Sequence, residues 1–168
     1  MIVKDRDGKV LHEVEGVNFL DCLDLRRADF SGQVLEGIYL DDSDLREADF
    51  TGADLYWAIA FRTNFEDAIL KNAQLGGASL REAKFRGADL RGAYISLDNL
   101  LGSPTLEGAD LTDALMDGAV LIGCEYNELT RFPSGFDSES RGMIRVEIDH
   151  TNHSQDTRLS QARQRLPH

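Results

Sequence analysis

Along residues 44–55, DLREADFTGADL, a large apolar residue stands at every fifth position: Leu45, Phe50 and Leu55. Neither the helix period of 3.6 nor the strand period of 2 produces such a beat. It extends far in both directions, through Leu20, Leu25, Phe30, Leu35, Leu40, Leu45, Phe50, Leu55, Ala60, Phe65, Leu70, Leu75, Leu80, Phe85, Leu90, Ile95 and Leu100, with Ala60 the one small member. Past Gly102-Ser103-Pro104 the beat resumes one residue late, at Leu106, Leu111, Met116, Leu121 and Tyr126. That slip predicts one added residue at a turn.

Two further positions share the period. Two residues before most centres stands an alanine, as at Ala28, Ala48, Ala53, Ala88 and Ala109, which predicts a second inward register with little room. Two residues after, glycine is frequent, as at Gly32, Gly52, Gly92 and Gly118, and a type II turn needs φ > 0 there. Each unit of five is therefore a short extended side, with one small and one large side chain inward, followed by a corner. Sides joined by corners make a coil, and a coil buries nothing until another stacks on it at about 4.8 Å.

The copies ADFSG (28–32), ADFTG (48–52), ADLRG (88–92) and ADLTD (109–113) resemble the A-(D/N)-L-x-x consensus of the pentapeptide-repeat family. The resemblance runs over roughly residues 18–128. It implies an all-β fold, a right-handed quadrilateral β-helix of about five to six coils with four units in each. The rival left-handed β-helix of hexapeptide acyltransferases needs a period of six, which this chain does not show.

The ends of a solenoid need covers of different character. Residues 1–17 predict an N-terminal hairpin cap turning at Asp7-Gly8. Residues 129–148 predict a C-terminal cap in which Phe132 and Phe136 close the core, with a short helix after Asp137 and a strand over 144–148. The passage YNELTRFPSGFDS resembles an ending carried by some pentapeptide-repeat proteins, with Ser138 where proline is usual. Residues 149–168 are polar and aperiodic, and are expected to be a mobile tail with at most a marginal helix over 156–166.

Composition then narrows the function. A chain of 168 residues with a net charge of −12 is read as one domain whose partner is not a polyanion or an anionic membrane. Charges in MIVKDRDGKV stand where a signal peptide needs an apolar stretch, so a cytoplasmic setting is expected. Two cysteines, Cys22 and Cys124, fall far apart on the repeat map and are expected to be free thiols. Residues 1–130 hold 25 acidic and 12 basic residues, a net −13, at about one net charge per 2 Å of rod, close to the roughly 1.7 Å of duplex DNA. Shared evenly over four sides, this charge makes a DNA-mimicking modulator or protector of DNA gyrase or another topoisomerase the second functional reading, as the resemblance implies for some members. The first is a non-catalytic interaction or scaffold protein with a protein partner, and a homodimer is allowed.

No Ser, His or Cys constellation offers a nucleophile with its base, and no catalytic, cofactor or metal residue is assigned. His150 and His153 lack the spacing and glutamate of a zinc helix. Asp29, Asp49, Asp89 and Asp110 are expected to form an acidic column interrupted at Ile69; arginines two positions on, such as Arg26, Arg46 and Arg91, offset such charges, so the column is structural. The outward chemistry changes at LYWAIAF, 55–61. Phe19, Tyr39, Tyr56, Trp57, Ile59 and Phe61 are expected to form one apolar patch, extended on the same side by Leu101, Val120 and Ile122, and this is the candidate interface. The competing expectation is that the N-terminal hairpin covers Phe19 and Tyr39.

Overall fold

The computed structural model describes residues 1–13, 18–98, 100 and 102–148. The unit of five is a β-turn followed by an extended side. In the turn Leu25 to Ala28, the Ala28 N–H donates to the Leu25 carbonyl at 3.0 Å, and the same bond closes Phe30 to Gln33 at 3.1 Å. The side then pairs with its neighbours: the Leu25 N–H donates to Asp44 O at 2.8 Å and the Asp44 N–H to Leu23 O at 2.9 Å. The residue before each centre forms a parallel bridge to the residue 20 positions on, as Asp24 to Asp44 to Asn64 to Lys84. Four such columns, one per side, make the solenoid. We call the sides after their first centres, Leu20, Leu25, Phe30 and Leu35.

The corner is left-handed at glycine and non-glycine residues alike. Gly32 and Gly52 have φ of 64° and 63°, and Arg27, Glu47 and Trp57 at equivalent positions have 62°, 60° and 55°. The stacked coils impose this conformation, and ten non-glycine residues accept it. Inside, the centres stack as the period predicts: Phe30 lies over Phe50 with ring centroids 4.9 Å apart, and Phe65 over Phe85 at 5.0 Å. Where the small inward register carries a hydroxyl, it is satisfied: Ser43 Oγ donates to Leu20 O, and Thr63 Oγ1 to Leu40 O at 2.7 Å.

The slip near Gly102 is larger than one residue. Ser79 bridges Thr105, Lys84 bridges Asp110, Asp89 bridges Leu115 and Tyr94 bridges Val120, each 26 positions apart, and the step returns to 20 at Thr105 to Glu125. Six residues leave the coil, a whole unit plus one, and Leu100 is 77% exposed rather than a core centre. The reason lies at Asp98. A centre at Leu100 would turn Asp98 into the tight inward register and leave its carboxylate without polar partners among alanines. Instead Asp98 accepts hydrogen bonds from the N–H groups of Leu100 (2.8 Å) and Gly102 (2.6 Å), and its own N–H donates to Gly102 O at 3.0 Å.

At the N-terminus β1 (Ile2–Lys4) and β2 (Val10–Glu13) pair antiparallel. Val3 joins the core, the Asp29 N–H donates to Lys4 O at 2.8 Å, and Arg6 Nε lies 3.6 Å from an Asp49 carboxylate oxygen. At the other end β3 (Glu125–Tyr126) pairs in parallel with β4 (Ile144–Arg145). Phe132 stacks on Phe136 at 4.8 Å and meets Tyr126 edge-on at 5.4 Å, closing the core as expected. The expected helix after Asp137 is instead a compact turn: Asp137 Oδ1 accepts the N–H groups of Glu139 and Ser140, and Gly142, at φ 69°, donates to Glu139 O. The strand expected over 144–148 ends at Arg145 because β3, its partner, is only two residues long. The tail from 149 onward, with His150 and His153 and the helix expected over 156–166, lies outside the described residues.

Candidate interaction surface

On the Leu20 side, Phe19, Tyr39, Ile59, Ser79 and Thr105 form one outward column. Phe19 and Tyr39 stack with ring centroids 5.0 Å apart and planes at 15°, yet Phe19 remains 60% exposed. The described part of the hairpin, residues 1–13, leaves Phe19 uncovered. Its contacts fall on the next two sides, where His12 Nε2 lies 2.9 Å from Asp24 O and Asp5 bridges Ala28. Beside the aromatic column, two positions further along each unit, stand Asp21, Asp41 and Phe61. Phe61 is half-buried because the Arg62 guanidinium lies 4.4 Å from its ring centroid. That guanidinium also forks onto Asp42 through Nε and Nη2, both at 2.8 Å.

Tyr56 and Trp57 belong to a corner with a packing logic of its own. The corner column reads Gly37, Trp57, Gly77, Leu97, Gly123, so that each large side chain lies over a glycine of the next coil. A Cβ at Gly77 would fall 2.6 Å from Trp57 Cδ1, one at Gly76 2.4 Å from Tyr56 Cε1, and one at Gly123 2.5 Å from Leu97 Cγ. The Trp57 indole N–H donates to Asp98 Oδ2, which ties the corner to the excursion. Trp57 is 41% exposed, and Tyr56 meets it edge-on at 6.3 Å.

The rest of the expected patch is distributed differently. Val120 bridges Tyr94, so Val120 and Ile122 lie on the Leu35 side, near the Tyr56 and Trp57 corner rather than along the Phe19 column. A one-residue slip would set them one side away, because five further residues, a whole unit, leave the coil before them. Leu101 lies outside the described residues. The acidic column is corrected by the same shift: Asp29, Asp49, Ile69 and Asp89 do share a column, but it continues to Leu115, while Asp110 stands around the corner below Asp44, Asn64 and Lys84.

The aspartates are held by local cations. Arg26, Arg46 and Arg91 each fork onto the aspartate two residues before, with Nε to Oδ1 at 2.8 Å in all three. The Arg26 hydrogen bonds pull the Asp24 carboxyl down to about 2, and Arg46 and Arg91 lower Asp44 and Asp89 in the same direction. Neither cysteine is activated. Burial raises the Cys124 thiol strongly, and burial with the nearby Asp42, Asp21 and Asp41 raises Cys22. Among the described residues no group of three or more His, Cys, Asp or Glu is placed to hold a metal ion, and no helix is long and apolar enough to cross a membrane.

Comparison with known proteins agrees with this architecture. The family model for pentapeptide repeats matches eight copies over residues 24–59 and 61–96. The chain is 32% identical to a pentapeptide repeat protein (Rfr23) of the cyanobacterium Cyanothece 51142, over 59% of this chain and 63% of that one, with a TM-score of 0.54. It is 29% identical to a pentapeptide repeat protein of Nostoc Pcc 7120, over 68% of this chain and 85% of that one, with a TM-score of 0.40. No curated protein matches the chain. Pentapeptide-repeat proteins fold as quadrilateral β-helices of right hand, and their repeats and bridging pattern place this chain in the pentapeptide-repeat family.

Proposed function

We propose that the protein is a non-catalytic interaction scaffold, a solenoid of about five to six coils that presents a protein-binding face on the N-terminal half of its Leu20 side. The observation that carries this reading is the Phe19–Tyr39 stack, an aromatic couple whose Phe19 ring is exposed on a polar surface. Folded proteins seldom leave such groups in water without use, and aromatic anchors dominate interface energies. Ile59 continues the column, and Phe61 flanks it. A F19A/Y39A variant should keep its thermal melt, because both side chains point outward, and lose association with itself or with partners retained by the wild type in crosslinking and sedimentation. Unchanged association with an unchanged melt would end this assignment.

The topoisomerase-directed mimic draws on a different observation, the net −13 of residues 1–130. Its weakness is that the charge is not a continuous track. Arginine forks neutralise Asp24, Asp44 and Asp89 locally, and Ile69 and Leu115 interrupt the Asp29 column. A DNA gyrase supercoiling assay with purified protein decides it, since no effect at micromolar concentration removes the mimic.

A further inference from the structure

A second surface, on the Leu35 side, stands apart from the Phe19 face. We propose that two copies of the chain pair antiparallel through the C-terminal half of this side, with Ile122 of each copy resting on the Tyr56 and Trp57 corner of the other.

Charge singles out this side. Its units 73–77, 93–97 and 119–123, AQLGG, AYISL and AVLIG, hold no charged residue, whereas every unit of the other three sides holds at least one. Its two earlier units hold one each, Glu36 and Asp54. The outward groups are apolar or small instead: Val120 is 37% and Ile122 60% exposed, and Gly76 and Ser96 precede Ile122 in its column. The polar side chains of the face are already used within the chain. Gln74 Nε2 donates to Asn72 O at 3.1 Å, Ser96 Oγ to Ile122 O at 2.7 Å, Tyr94 Oη to Leu97 O at 3.4 Å and the Trp57 indole N–H to Asp98. Drying the face leaves these bonds intact, so it carries little of the cost of burying polar groups.

These features select the occupant. A basic partner finds its attraction on the other three sides, while a molecule of like charge can approach closely only where charge is absent. A second copy, itself of net −12, is such a molecule. The face is also complementary to itself. Tyr56 and Trp57 lie over Gly76 and Gly77, which makes an aromatic corner at the level of the third unit, and the aliphatic Val120 and Ile122 project from the fifth. A two-fold axis in the plane of the face, crossing the rod at Ser96 in the fourth unit, turns the rods antiparallel and sets each Ile122 on the other copy's aromatic corner. Three rungs of about 4.8 Å make this a small contact, in the weak class below about 1,200 Å².

The test is sedimentation equilibrium of the full chain from about 5 to about 500 μM, at about 50 and about 500 mM NaCl. A concentration-dependent dimer is expected, tighter at high salt because screening relieves the repulsion between two acidic rods. I122E should weaken it at least about tenfold with an unchanged thermal melt, whereas L115E, the same charge at an exposed site on the Phe30 side, should change it less than about threefold. F19A/Y39A should keep the dimer, which separates this contact from the Phe19 face. I122E mixed with Y56K should pair more tightly than either variant alone. A monomer throughout the range, a dimer that weakens with salt, equal losses in I122E and L115E, or a dimer lost in F19A/Y39A and kept in I122E would each overturn the proposal. No gain on mixing would overturn the antiparallel pairing.

Discussion

Gly77 and Gly52 occupy corners with nearly the same φ, 65° and 63°, but only Gly77 has a neighbour where a Cβ would go. At Gly52 an alanine meets nothing within 4 Å, so G52A carries only the left-handed penalty, about 1–2 kcal/mol less the 0.4–1 recovered from the stiffer unfolded chain. At Gly77 the methyl would strike Trp57 Cδ1 and Asp98 Oδ2, and overpacking adds about 1–3 kcal/mol. Chemical denaturation should therefore rank G77A well below G52A; equal losses would mean that Trp57 does not lie on Gly77. The converse substitution should help. Glu47 holds φ 60° at an exposed corner, and E47G is expected to stabilise by a few tenths to about 1 kcal/mol. A lower denaturation midpoint for E47G would show that the corner does not impose the strain assigned to it. Titration is set at this scale too. Asp24, Asp44 and Asp89 are held below the ordinary carboxyl range by arginine forks, so their contribution is complete above about pH 4 and is lost as pH falls through their folded values, about 2 for Asp24. The melting temperature should thus hold down to about pH 4 and fall between 4 and 2, more steeply at low salt than at high. A melt that drops already between pH 6 and 5 would contradict this.

The six-residue excursion is the element whose removal from the coil changes most of the map. Asp98 is its hub, taking the Trp57 indole N–H and two backbone N–H groups of its own loop. D98A should free the loop and Trp57 together. Because Trp57 is the single tryptophan, its emission should shift to the red and the melting temperature should fall by several degrees. An unchanged spectrum would separate the loop from the corner. The apolar beat made the coils and their centres legible, because it marks which side chains must leave water, and the Asp7-Gly8 turn marked the N-terminal hairpin. The beat could not reveal the excursion, since Leu100 matches it while standing 77% exposed. The available signal was polar: Asp98 falls two before Leu100, at the inward position that carries only alanine, serine or threonine from Ser43 to Ala93. A charge cannot lie there unpaired. Reading that one residue would have kept Val120 and Ile122 off the Phe19 side and Asp110 out of the Asp29 column. The glycine rule misled in a milder way, because corner geometry comes from stacking between coils, and sequence shows only which corners are unstrained.

For the whole molecule, function depends on which outward residues share a side, and that follows from coils of 20 residues with one excursion of six. The polar surface is stitched along the rod by pairs between successive coils, such as Arg62 with Asp42, Arg81 with Glu107 and Arg86 with Asp113. Each such exposed pair is worth little, about 0–1 kcal/mol, so register is fixed by the stacked core and not by the charges. The same register sets the Phe19–Tyr39 stack at one end of the Leu20 side, away from the forks of Arg26, Arg46 and Arg91. The most direct test is disulfide formation between engineered cysteine pairs in a background where exposed Cys22 is replaced by serine. Adjacent rungs lie about 4.8 Å apart, within the roughly 4.4–6.8 Å that a disulfide spans between Cα atoms. D89C/L115C, neighbours across the excursion, should oxidise readily to an intramolecular bridge, and D89C/D110C, separated by a corner, should not. The opposite outcome, a bridge from 89 to 110 and none from 89 to 115, would restore a one-residue slip and redraw every side of the rod beyond residue 96.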